Sequence, residues 1–157
     1  DSLKHSTAPF KLIASGTMWS DYVSNGNDSW AVWDTEALEE IFSFIESENI
    51  GGIILLSGDR HGARGFRIPR PSGFEFIELG IGTLGGIHGP PGIIEGCEEQ
   101  IFGYDGEGFI AFGEFDFDTC SDDTMLTFRL ISDEGEILEE HTWKRSQLMP
   151  FSACASK

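Results

Sequence analysis

The run of four apolar residues from Ile53 to Leu56 constrains the fold most, because both of its faces need to be covered. Strands of this kind are typical of parallel sheets with further layers packed on both sides. Upstream, apolar residues recur at helical spacing between Leu38 and Ile45, which predicts an amphipathic helix. Phe10 to Ser15 is a candidate strand before that helix. Strand, helix and strand in this order predict a βαβ unit with a right-handed crossover.

Local signals predict where that helix begins and ends. Either Asp34 or Thr35 can cap its N-terminus, where acidic residues of the first turn also suit the positive end of the helix dipole. Asn49 and the pair Gly51-Gly52 are typical of a helix end. We expect residues 16–34, which contain three tryptophans, to form the loop between the first strand and the helix.

The pattern changes after Pro71. Phe74 to Leu79 is a candidate strand, and apolar residues then alternate with polar ones from Phe109 to Phe117 and from Leu126 to Leu130. A turn at 133–136 leads into the apolar-rich segment 137–143, which predicts an antiparallel hairpin. We expect this hairpin to belong to a second sheet stacked on the parallel one. The predicted fold class is therefore α/β (α+β), as a single domain over residues 1–157.

The net charge of −17 limits the partners of the chain. It argues against nucleic acid and against an anionic membrane surface, since both require a basic face. No apolar run approaches the roughly 20 residues that span a bilayer. Four of the six arginines nevertheless fall within the eleven residues 60–70 and form a candidate anion site. These four are Arg60, Arg64, Arg67 and Arg70. The alternative is that these arginines pair with acidic residues at the surface.

The apolar strand is followed at once by Gly58, Asp59, Arg60 and His61. Ligands of open α/β sheets bind just beyond the carboxyl ends of the strands. In extended backbone, side chains two positions apart point the same way, so Asp59 and His61 are expected to converge while Arg60 points elsewhere. A carboxylate and an imidazole together suit Zn, Fe, Mn or a mixed metal site.

Several segments of the sequence together resemble parts of one known protein family. STAPFKLIASGTMW, DSW, GGIILLSGDRH and LTFRLISDEGEILEEHTW occur in that order between about Ser6 and about Leu148. Together they resemble the C-terminal half of the alkaline phosphatase D (PhoD-like) family, which belongs to the calcineurin-like metallophosphoesterases. LSGDRH is similar to the last metal-binding motif of that family, in which G-D-x-H replaces G-H-x-H.

The resemblance implies a four-layer αββα sandwich and a two-metal centre that hydrolyses phosphate mono- or diesters. Asp59 and His61 would be metal ligands. At such a centre, Arg60 and Arg64 are the candidate catalytic residues, for stabilising transition-state charge or for binding the phosphate ester. Ca and Fe are the metals that the resemblance favours, with Zn or Mn as alternatives. It also implies an exported protein, periplasmic or extracellular.

The other metal-binding motifs of the superfamily do not occur in these 157 residues. D-x-H, G-D-x-x-D/Y and G-N-H-D/E belong to its N-terminal half, and Gly26-Asn27-Asp28 lies in a loop after a different strand. We therefore expect the N-terminal half of the same domain as a second chain or a missing segment. The alternatives are a noncatalytic β-rich binding module and a remnant that binds phosphate without turnover.

Overall fold

The computed structural model of the chain describes residues 2–23, 28–81 and 84–151. Within these ranges the chain forms two β-sheets and one long helix, with short helical segments beside them. The helices are α1 (Ser2–His5), α2 (Trp30–Trp33) and α3 (Thr35–Ser47), followed near the end of the chain by a 3-10 helix (Arg145–Leu148). The strands are β1 (Lys11–Ala14), β2 (Ile53–Ser57), β3 (Ala63–Pro69), β4 (Glu75–Gly80), β5 (Gln100–Tyr104), β6 (Ala111–Asp118), β7 (Met125–Ser132) and β8 (Ile137–Lys144).

The predicted βαβ unit is confirmed. β1 and β2 are parallel, from the pair Lys11 and Ile53 to the pair Ala14 and Leu56, and α3 lies between them in sequence. β4 continues the parallel arrangement on the other side of β2. The carboxyl ends of β1, β2 and β4 therefore lie at one edge of the sheet.

β3 and β5 were not predicted from the sequence. β3 inserts antiparallel between β4 and β5, which gives the strand order β1-β2-β4-β3-β5. Its segment ARGFRIP contains Arg64 and Arg67, so it was interpreted as part of an arginine cluster rather than as a strand. Phe66 within it is fully buried, and an added Cβ at Gly65 would run into the ring of Phe102 on β5.

The predicted hairpin is also confirmed, as part of a three-stranded antiparallel sheet of order β6-β7-β8. The turn between β7 and β8 includes Gly135 at a φ of 84°, a backbone conformation that favours glycine. Leu126, Phe128 and Leu130 are fully buried and share one apolar cluster with Ile54 and Leu79 of the first sheet. The second sheet is therefore stacked on the first, as predicted.

Helix α3 covers the opposite face of the five-stranded sheet. Asp34, rather than Thr35, caps it, because its side chain accepts a hydrogen bond of 3.0 Å from the Ala37 N–H. Phe42 on the buried face of α3 stacks on Phe76 of β4, with 4.3 Å between ring centroids. The layers are thus helix, sheet and sheet, and the mixed α/β class is confirmed. No helix in the described ranges is long and apolar enough to cross a membrane.

Candidate active site

The candidate site lies where β1, β2 and β4 end. The chain leaves β2 through Gly58 and enters β3 at Ala63, and the turn between them lies beside the residues that follow β1 and β4. A cavity of about 20 Å³ opens there, which is room for one water molecule or one ion. Its lining comes from all three regions: Met18, Ser57, Gly58, Asp59, Arg60, His61, Gly62, Arg64, Gly80 and Ile81.

The backbone of this turn is bent, not extended. Asp59 has a φ of 70° and His61 a φ of 38°, both in the left-handed region that non-glycine residues seldom adopt. The prediction assumed an extended backbone in which these two side chains point the same way, and that assumption was wrong. Both residues nevertheless line the same cavity. Gly62 follows at a φ of 95°, and an added Cβ there would collide with the carbonyl oxygen of Tyr104.

The half-buried ring of His61 is fixed by a main-chain carbonyl. Its Nδ1 lies 2.7 Å from the carbonyl oxygen of His88. Because a carbonyl only accepts hydrogen bonds, Nδ1 is the donor, and in the neutral ring Nε2 then keeps the lone pair. Metal-binding histidines have this arrangement, in which the outer hydrogen bond sets the tautomer and the ring orientation.

Asp28 lies beside Asp59 and was not identified as a site residue from the sequence. A hydrogen bond between the two carboxyl groups raises the pKa of Asp28, and the Nη1 of Arg60 is 3.7 Å from its Oδ2. Gly26 and Asn27, which precede Asp28, lie outside the described residues.

The position of Asp28 depends on a tertiary contact. The hydroxyl of Thr17, just beyond β1, donates a hydrogen bond of 2.5 Å to the main-chain carbonyl of Asp28. This bond holds the loop before α2 against the end of the parallel sheet. Since Asp28 follows neither β1 nor β2 directly, no spacing in the sequence links it to Asp59.

The structure separates the arginine cluster. Arg67 lies 3.8 Å from Glu75, and Arg70 binds Glu39 and Glu46 of α3, so both pair with acidic residues away from the cavity. Arg60 and Arg64 line the cavity. Arg64 is buried and directs its guanidinium group to main-chain carbonyls. The catalytic roles of Arg60 and Arg64 stay predictions.

The types of donor group at the cavity suit a metal ion, but the described residues do not supply a full set of ligands. Asp59 supplies a carboxylate and His61 an imidazole with an available Nε2, a mixed set that suits Zn, Mn or Fe. In the part of the chain that the structure describes, no group of three or more His, Cys, Asp and Glu side chains is arranged to hold a metal ion. Asp59 and His61 are thus two candidate ligands within that part of the chain.

Comparison with known proteins supports the fold. No family model matches the sequence, and no curated protein matches it. A solved structure titled "Structure of PhoD" is similar in three dimensions, with a TM-score of 0.59 and 16% sequence identity. The similarity covers 92% of this chain and 31% of that one, so the chain spans about a third of the structure it matches. The chain has a PhoD-like fold.

Proposed function

We propose that this chain supplies part of a two-metal phosphatase or phosphodiesterase site, with Asp59 and His61 as metal ligands. The observation that carries the proposal is the hydrogen bond between His61 Nδ1 and the His88 carbonyl, which leaves Nε2 available beside Asp59 in one cavity. The PhoD-like fold supports it as well, since the site lies at the edge of the sheet where such folds bind ligands.

The substrates we propose are phosphate mono- or diesters, as in the PhoD-like alkaline phosphatases that the sequence resembles. The cavity has room for one ion but not for a phosphate group, so the substrate would bind at its mouth. When bound, metal ions of such a centre stabilise negative charge on the phosphoryl group. Arg60, which also lines the cavity, would add positive charge there.

The remaining ligands would come from the N-terminal half of the same domain. The matched structure is about three times as long as the aligned segment, and the described residues provide no third ligand in place. Asp28 lies beside Asp59, but its carboxyl group does not complete a ligand set with Asp59 and His61. An exported location remains part of the proposal.

Metal titration of the 157-residue chain tests the ligands. We expect Mn²⁺ or Zn²⁺ to bind weakly and the affinity to fall more than about tenfold in His61→Ala and in Asp59→Asn, because even outer residues of metal sites cost about 10–100-fold. His88→Gln is the matched control, since it retains the main-chain carbonyl that orients His61. Equal affinities in wild type and His61→Ala would contradict the proposal and favour a noncatalytic binding module.

A further inference from the structure

Arg64 has an environment that is unusual for a charged side chain. Only 2% of its surface is exposed, yet none of the hydrogen bonds described for it goes to a carboxylate. Its Nη1 donates to the carbonyls of Arg60 at 3.0 Å and His61 at 2.8 Å. Its Nε donates to the carbonyl of Pro91 at 3.1 Å, and its Nη2 donates to that of Pro90. One guanidinium group thus binds two segments of chain.

The two segments are the turn that carries Asp59 and His61, and the glycine-rich loop that follows β4. The loop holds the ring of His61 through the carbonyl of His88, two residues before Pro90. The loop is packed closely on the turn, because an added Cβ at Gly89 would lie 2.7 Å from the Cβ of His61. Arg64 therefore binds the main chain of His61 directly. It is connected to the ring of His61 indirectly, because it also binds the loop whose His88 carbonyl holds that ring.

We infer that Arg64 is a positioning residue, which fixes the orientation and tautomer of His61 by joining the turn to the loop. This inference rests on the proposed function in so far as His61 is a metal ligand, but the orientation itself is a property of the chain. The planar guanidinium group suits the task, since its donors point in fixed directions toward separate acceptors. A lysine at this position has three donors on one nitrogen, so it cannot reproduce the four hydrogen bonds of the guanidinium group in their fixed directions.

The catalytic role predicted for Arg64 differs from this one. A guanidinium group whose donors are already directed at four carbonyls of the main chain has little left for a phosphate oxygen. Bidentate binding of a phosphate group would require breaking some of these bonds, because four of the five donors of the guanidinium group are already used. The Nη1 of Arg60 lies 3.7 Å from Asp28 Oδ2, and its side chain is 19% exposed.

The test is a nitrogen-15 NMR measurement of the histidine rings in the metal-free chain at pH 8, where an ordinary histidine with a pKa of about 6.5 is neutral. Comparison with His61→Gln assigns the signal. We expect wild-type His61 to carry its proton on Nδ1. In Arg64→Lys we expect both tautomers, because the acceptor of Nδ1 is no longer fixed. Arg67→Lys, an exposed arginine of the same strand, is the matched control and leaves the signal unchanged.

A second variant covers the case in which Arg64→Lys does not fold. Gly89→Ala pushes the loop away from the turn without altering Arg64, and we expect it to release His61 in the same way. Gly85→Ala in the same loop is its control, since the nearest atoms to the added Cβ are those of Ile87 at 3.5 Å. A folded Arg64→Lys chain that keeps the proton of His61 on Nδ1 would overturn the inference, as would a wild-type ring protonated on Nε2.

Metal titration of the same variants separates this inference from the proposed function. If the metal site exists, loss of an outer residue weakens binding by about 10–100-fold, and Arg64→Lys is expected in that range. If the tautomer of His61 shifts but even the wild-type chain binds no metal, the positioning role holds and the proposed function fails.

Discussion

At the scale of the residue, the buried carboxyl group of Glu78 is central to the loop after β1. Glu78 has no exposed surface and accepts hydrogen bonds from the N–H groups of Trp19 at 2.9 Å and Ser20 at 3.0 Å. The hydroxyl of Ser20 donates a third bond, of 2.5 Å. These bonds hold the loop that runs from β1 toward Asp28. Glu78 therefore helps to position the part of this loop that leads to the candidate site.

Glu78→Gln is expected to lower the free energy of unfolding by about 1–3 kcal/mol at pH 5. The NH₂ group of the glutamine would replace one carboxylate oxygen, and the N–H of Trp19 or Ser20 would then lack an acceptor. Urea unfolding measures the change. Glu75→Gln on the same strand is the matched control: this exposed residue makes only a 3.8 Å ion pair, and a change within about 0.5 kcal/mol is expected. Equal losses in the two variants would show that the buried bonds contribute little.

The effect of Glu78→Gln should also depend on pH. Burial raises the pKa of Glu78 above 4.5, although the hydrogen bonds from Ser20 and Trp19 oppose the shift. Stability from a group whose pKa is raised on folding is complete below its unfolded pKa and is lost as the pH rises through the folded one. The difference between wild type and Glu78→Gln should therefore shrink from pH 5 to pH 8. A difference that grows over this range would contradict the direction of the shift.

The site could be predicted only where it follows from local sequence. Asp59 and His61 stand directly after a recognisable buried strand, so their place at the sheet edge was accessible from the sequence. Asp28 and the His88 carbonyl reach the site through contacts distant along the chain, which no local pattern encodes. The burial of Arg64 was hidden for the same reason, because arginine is seldom buried and its acceptors are carbonyls rather than acidic side chains.

At the scale of the element, periodicity identified the segments that have one buried and one exposed face. Helix α3 has this character, β7 alternates buried with half-buried residues and most of β8 alternates half-buried with exposed ones, and all three were predicted. β3 was missed because its burial varies along its length: Ala63 to Phe66 are buried, whereas Arg67 and Pro69 are exposed. The segment is a strand because it pairs with β4 and β5. Both of these strands follow it in sequence, so no preceding segment indicates the pairing.

The cap of α3 gives the prediction at this scale. Asp34→Ala removes the acceptor of the Ala37 N–H and is expected to lower the free energy of unfolding by about 1 kcal/mol. Asp34→Asn retains an oxygen acceptor and should lose only a few tenths of that amount. Urea unfolding of the two variants provides the comparison. A full loss in Asp34→Asn would mean that the charge of Asp34, near the positive end of the helix dipole, matters more than its hydrogen bond.

At the scale of the whole molecule, the core between the two sheets is connected to the candidate site. Phe128 of β7 is fully buried and lies 5.9 Å from the ring of Phe102 on β5 and 5.3 Å from that of Phe115 on β6. β5 is paired with β3, the strand that begins directly after the His61 turn. Packing of the second sheet is thereby connected to the strand that holds Arg64.

Phe128→Ala is expected to lower the free energy of unfolding by about 3–5 kcal/mol, because the cavity it leaves is enclosed by both sheets. Domains of this size are stable by only about 5–15 kcal/mol, so the variant should unfold at much lower urea concentration. Phe112→Ala is the matched control: this residue of β6 is 47% exposed, and a loss of about 1 kcal/mol or less is expected. If Phe128→Ala remained nearly as stable as wild type, the two sheets would not form one cooperative unit. The second sheet would then be a separate layer without influence on the His61 turn.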